Sequence, residues 1–167
     1  MLLSLLSVLR LLHRKKQSSL TTPLKKPTSN QATTQIVDAI GKKVLILANE
    51  FRKKNGLPAL IWDDDIWNIS YEHSSNMGNK KVPFGHDGFL ERLKKLPYSY
   101  TMAFENVFMC SRMKENVVAE TAMKTWINSS GHKSNLLSMS THSAVAAFKN
   151  SNGELYLTQI FIKKNDS

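Results

Sequence analysis

The feature that most constrains this chain lies near its C-terminal end. His142 to Phe148 and Leu155 to Ile162 are two mostly apolar runs of strand length, and Asn152-Gly153 stands between them. Asn-Gly accepts the positive φ angles of a tight turn more readily than almost any other pair, so the two runs are expected to form an antiparallel hairpin. A third apolar run, Phe104 to Met109, reads as another strand, and most of what precedes it reads as helix. Helices followed by a late hairpin predict an α+β fold, a small sheet covered by helices.

The helical stretches carry their own stop and start signals. Ile36, Ile40, Val44, Leu47 and Phe51 fall on one stripe, Lys53 and Lys54 suit its C-terminal end, and Gly56 with Pro58 ends it. Asp63-Asp64-Asp65 opens a second helix as capping carboxylates; no spaced oxygen-ligand loop follows to make them a calcium site. Ile66, Ile69, His73 and Met77 continue its apolar face, with His73 a packed or half-exposed histidine. After a break at Val82 to Phe89, Leu90, Leu93 and Leu96 mark a short helix that Pro97 closes. Val117, Val118, Thr121, Ala122 and Trp126 give the next helix, with Trp126 as a core anchor. Ser129 and Ser130 are expected to cap a further helix start, and Gly131 eases the backbone there. His132 then falls in the first turn, where the helix end disfavours its protonation.

Charge separates the chain into unequal parts. The formal net charge is +10, and Arg10, Arg14, Lys15, Lys16, Lys25 and Lys26 all precede the first acidic residue, Asp38. The rest is only mildly basic, so no specific nucleic-acid surface is expected. Leucine-rich 1–12 is short for a membrane span and Arg10 interrupts it, while 17–34 is rich in Ser, Thr, Pro, Gln and Lys. This organisation predicts a basic, largely disordered targeting and linker tail over 1–34, a folded domain over 35–163, and a polar end at 164–167. The tail suits secretion or membrane anchoring, with an organellar transit segment as the alternative. Cys110 is the lone cysteine, which excludes an internal disulfide framework and is expected to be buried and unreactive.

Three residues stand out as chemistry in this apolar setting. His86 follows a glycine, Glu105 sits inside an apolar strand and needs a partner for its charge, and His132 opens a helix. Two imidazoles and a carboxylate are the donor set of an open zinc site, and equally of an acid, base and orienting group. No nucleophile elbow and no glycine-rich phosphate loop accompanies them.

Phe84-Gly85-His86, Glu105-Asn106-Val107, the run Trp126-Ile127-Asn128-Ser129-Ser130-Gly131-His132-Lys133-Ser134-Asn135-Leu136-Leu137, Thr141-His142 and Tyr156 to Phe161 together resemble the CAP superfamily. That family comprises the cysteine-rich secretory proteins, antigen 5 and pathogenesis-related protein 1. The disulfide-free, bacterial-type SCP-like extracellular domains are the most similar branch, and Leu57 to Asp63 resembles the link between the family's first two helices. The resemblance spans about 38–163. It implies an α-β-α sandwich with a mostly antiparallel central sheet, and a cleft lined by two histidines and acidic residues that binds zinc or another divalent cation in some members. By motif, His86 and His132 take the histidine places and Glu105 one acidic place. The second acidic place falls on Asn128 and Ser129, so a four-residue site is incomplete here.

The expected function is therefore a secreted or membrane-associated binding protein. Its cleft of His86, Glu105 and His132 would take Zn2+ or another divalent cation, and the protein would take a lipid, sterol or cell-surface ligand. The basic tail is expected to contact membrane. Two alternatives are a metal-assisted hydrolase with Glu105 as candidate base, and a plain extracellular interaction domain; enzymatic activity is the less favoured expectation.

Overall fold

The structure, a computed structural model, describes residues 29–165. The expected targeting segment and the linker up to residue 28 lie outside the described residues, as do 166 and 167. Helix α1 spans Ser29–Lys54, so 29–34, assigned above to the linker, are helical. A formed helix gains one backbone hydrogen bond per added residue, which lets it extend through polar sequence without an apolar stripe. Gly56, at φ +75°, ends it, and the Leu57 amide donates back to the Arg52 carbonyl.

Strand β1 (Ile61–Trp62) and helix α2 (Asp64–Gly78) follow. Asp63 caps α2, its Oδ1 accepting from the Ile66 amide at 2.9 Å, while Asp64 accepts from the Trp62 indole at 2.8 Å. Asp63 is thus a cap, as predicted, and it also pairs with Lys164. Next come α3 (Phe89–Leu93), β2 (Tyr100–Cys110), α4 (Glu115–Ile127), α5 (Ser130–Leu136), β3 (His142–Lys149) and β4 (Leu155–Lys164). Strand β2 is longer than the apolar run that announced it, and β4 continues one residue into the expected polar end.

The sheet order is β1-β3-β4-β2. The pairs β3–β4 and β4–β2 are antiparallel, and only the two-residue β1 runs parallel, to β3. Asn152-Gly153 does not close a two-residue turn. It lies in a loop wound about Asn150, whose Oδ1 accepts from the amides of Asn152 and Glu154 at 3.0 Å each, with Gly153 at φ +79°.

Alternation along the strands sends side chains into two layers. Leu155, Leu157 and Phe161 with Val145, Ala147, Phe108 and Cys110 meet α1 and α4, where Val44, Ala48, Val118, Ala122 and Trp126 are buried. Ile160, Ile162 and Ala144 face the other way, onto Ile66 and Ile69 of α2 and Leu93 of α3. Two apolar layers on a central sheet make the α-β-α sandwich. Helix α1 lies so close to β3 that a Cβ at Gly41 would collide with the Val145 carbonyl.

Candidate functional site

Strand β2 is an edge of the sheet, and an unpaired edge has backbone groups to satisfy. Side chains do this here. The Trp126 indole donates to the Val107 carbonyl at 3.0 Å, and Asn135 Nδ2 donates to the Glu105 carbonyl at 3.1 Å. Asn106, fully buried, accepts from Asn135 at 2.9 Å and donates to the His132 carbonyl at 3.2 Å. These bonds hold α5, and with it His132, against the edge of β2.

Glu105 points from the same strand toward the layer of α2 and α3, with its side chain 2% exposed. Its Oε2 accepts from Arg92 Nη2 at 2.6 Å and its Oε1 from His86 Nδ1 at 2.9 Å. Arg92 is itself buried, and its Nη1 donates to the Asp87 carbonyl at 2.6 Å. His73 on α2 lies behind, 1% exposed, its Nε2 at 2.8 Å from the Gly85 carbonyl and 3.9 Å from Glu105 Oε1. His86 is therefore fixed from two sides: its ring by Glu105, and the backbone before it by His73.

The imidazole of His86 is half exposed, with Nδ1 donating to Glu105. His132 is half-buried, and its pKa is lowered, first by burial and then by the field of His86. The serine hydroxyls do not cap α5: Ser129 stands at the N-cap without a side-chain bond, and its backbone serves both helices. Its amide donates to the Trp126 carbonyl and its carbonyl accepts from the Lys133 amide.

The structure thus joins His86 to Glu105 directly and brings His132 within electrostatic reach of His86, around the β2 edge. Glu105 stands as the group that orients His86, since both its oxygens are bonded. Among the described residues no three His, Cys, Asp or Glu side chains are grouped to hold one ion. His132 Nδ1 is buried without a hydrogen-bond partner, whereas a firmly held metal-ligating histidine normally donates its other nitrogen to one. Among the described residues, His86, Glu105 and His132 therefore do not form a closed three-ligand centre. Asn128, at the place of the second acid, lines a separate groove between α1 and α4.

Arg92, His73, Asn106 and Asn135 were missed as site residues in the sequence. For Arg92 one signal existed: a carboxylate in an apolar strand demands a cation, and Arg92 lies in the short helix just before it. Asn106 and Asn135 stood inside the motifs that carry the resemblance, without a role assigned to them; for His73 no local signal exists, because its partners come from other segments.

Comparison with known proteins agrees with this architecture. The chain belongs to the CAP family: the model of the cysteine-rich secretory protein family matches residues 45–161. Its single cysteine, Cys110, is free and buried, as in the disulfide-free type. Two Bacillus subtilis proteins are similar: an uncharacterized membrane protein, YlbC, 29% identical over 83% of this chain and 39% of its own length, and the uncharacterized protein YkwD, 31% identical over 83% of this chain and 53% of its own. The chain therefore spans about half the length of these relatives, or less. A crystal structure of an extracellular, SCP-domain protein from Bacillus anthracis superposes with a TM-score of 0.67 at 27% identity, covering 83% of this chain and 45% of that one. Among the described residues no helix is long and apolar enough to cross a membrane.

Proposed function

We propose that this chain is a ligand-binding CAP module acting outside the cytoplasm, secreted or held at a membrane, and that it is not a hydrolase. One observation carries the reading: the Glu105 side chain is 2% exposed and bonded on both oxygens, to Arg92 at 2.6 Å and His86 at 2.9 Å, so little of this carboxylate is open to a substrate as a base. What the cleft offers instead is the half-exposed imidazole of His86 with His132 within its electrostatic reach. That pair suits a divalent cation such as Zn2+, held weakly, with water in the remaining positions. The extracellular nature of the Bacillus anthracis protein and the naming of YlbC as a membrane protein support the location.

A lipid or sterol ligand has a separate candidate place. The groove between α1 and α4 has a volume of about 320 Å3 and an apolar floor of Leu47, Phe51, Met123 and Ile127 under a charged rim. That volume lies at the small end of ligand cavities, about 300–1,000 Å3.

Calorimetric titration of metal-free protein with zinc tests the cleft. Weak binding near neutral pH is expected, lost in His86→Ala and in His132→Ala, and lost in the wild type as pH falls through the histidine range. Chelator-sensitive hydrolysis of ester or peptide substrates would overturn the binding reading in favour of the hydrolase. Absence of any zinc heat would leave the cluster as a brace of the fold.

A further inference from the structure

Helix α2 ends in a way that its sequence makes costly. The Lys80 amide donates to the Met77 carbonyl at 3.0 Å and the Lys81 amide to the Asn76 carbonyl at 2.9 Å, the paired bonds of a Schellman stop. The left-handed residue such a stop requires is usually glycine, yet here it is Lys80, at φ +59°. A second lysine follows at once. Both ammonium groups are exposed and neither has a carboxylate partner among the described residues. The helix dipole accounts for a cation near this end, but not for a long side chain at the position where glycine is favoured.

Lys80 and Lys81 border a shallow groove of about 370 Å3 whose other walls are Met77, Val82, Pro83, Phe84 and Tyr156. Phe84 is 50% exposed, its ring tilted against Tyr156 at 6.4 Å. The Glu154 carboxylate accepts from Asn150 Nδ2 at 2.6 Å and from the Tyr156 hydroxyl at 3.3 Å, and it forms no ion pair with either lysine. The patch is thus an exposed aromatic ring and a proline beside two free ammonium groups.

We propose that the loop 80–84 is a contact for an anionic phospholipid surface, with Lys80 and Lys81 on the headgroup phosphates and Phe84 seated at the level where headgroups meet acyl chains. An exposed apolar ring gains by leaving water for the boundary of headgroups and acyl chains, and unpaired lysines near it are attracted to anionic headgroups. The pairing of charge and aromatic on a shallow, open groove favours a broad anionic surface over a deeply enclosed small ligand. The site is independent of the cation reading of the cleft.

The test is co-sedimentation of the full-length protein with vesicles of phosphatidylcholine containing phosphatidylglycerol, at low and at physiological salt. The basic N-terminal tail is present in every variant, so its contribution is common. Lys80→Gly with Lys81→Ser should lower vesicle affinity about tenfold, and the loss should shrink as salt rises. Lys80→Gly alone should leave the melting temperature equal or higher, since glycine suits the left-handed position, which separates binding from a structural role. Phe84→Ser should weaken binding as well, and Phe84→Trp should be quenched by brominated lipid. Equal vesicle binding by wild type and the lysine variant would overturn the proposal and leave the tail as the whole contact. Lysine-dependent binding of a polyglutamate peptide without vesicle binding would overturn it in favour of an acidic protein partner.

Discussion

At the scale of single residues, the site is dominated by partners that come from far along the chain. Glu105 has its charge met by Arg92 and its second oxygen used by His86, and His73 holds the Gly85 carbonyl from behind. A buried carboxylate tied on both oxygens gives direction to an imidazole and rigidity to a loop, and with its side chain 2% exposed little of it is open to a substrate. Arg52 shows the same economy elsewhere. Fully buried, it donates to the carbonyls of Pro58, Leu136, Ser138 and Ser140, and so ties the end of α1 to the segment after α5. Backbone contact can be as demanding as charge. Gly41→Ala should destabilise by about 1–3 kcal/mol, because the added methyl meets the Val145 carbonyl, which the sheet holds in place. Urea denaturation would check this; a variant as stable as wild type would mean that α1 lifts off β3 freely.

At the scale of elements, β2 organises the molecule. It pairs with β4 on one side, and its other edge is closed by Trp126 of α4 and Asn135 of α5. Trp126 is fully buried, so Trp126→Ala should cost about 3–5 kcal/mol, measured by chemical denaturation, and should expose the edge of β2 to amide exchange. Unchanged stability would point to a ligand-stacking role instead. Much of this layer was legible in the sequence. The helical stripe led to Ile40 and Val44, Asp63 announced the start of α2, Gly56 the end of α1, and the hairpin was placed by its apolar runs. What was not legible depended on distance. Strand β1, Ile61–Trp62, is too short to show alternation and exists because Ile61 finds the Thr141 carbonyl. Ile36, counted on the stripe of α1, is 40% exposed, since periodicity assigns a face but not how much of it a neighbour covers. Of the site, His86, Glu105 and His132 were visible as unusual residues, while Arg92 and His73, which decide what Glu105 can do, were not.

At the scale of the whole molecule, the histidines link stability to pH. His73, His132 and His142 all have pKa values lowered from the ordinary 6.5, in each case first by burial. For such groups the unfolded chain binds protons that the folded chain refuses. Their contribution to stability is therefore complete above about pH 6.5 and is lost as pH falls below it, toward their lower folded values. Thermal melts should show a midpoint that declines between pH 7.5 and 5, since each tenfold loss of a ring's proton affinity on folding corresponds to about 1.4 kcal/mol. A midpoint that rises over that interval would contradict the burial of these rings.

The most direct measurement concerns Glu105 as a clamp. Metal-free wild type, Glu105→Leu, Arg92→Met and the double variant would be unfolded in urea and their stabilities arranged as a double-mutant cycle. Each single change strands one buried charge and should cost about 3–5 kcal/mol, whereas the double change removes both and should cost clearly less than the two together. Single variants within about 0.5 kcal/mol of wild type, with a Glu105→Leu protein that folds normally but has lost hydrolytic turnover, would contradict it, because Glu105 would then be a working base and not a brace.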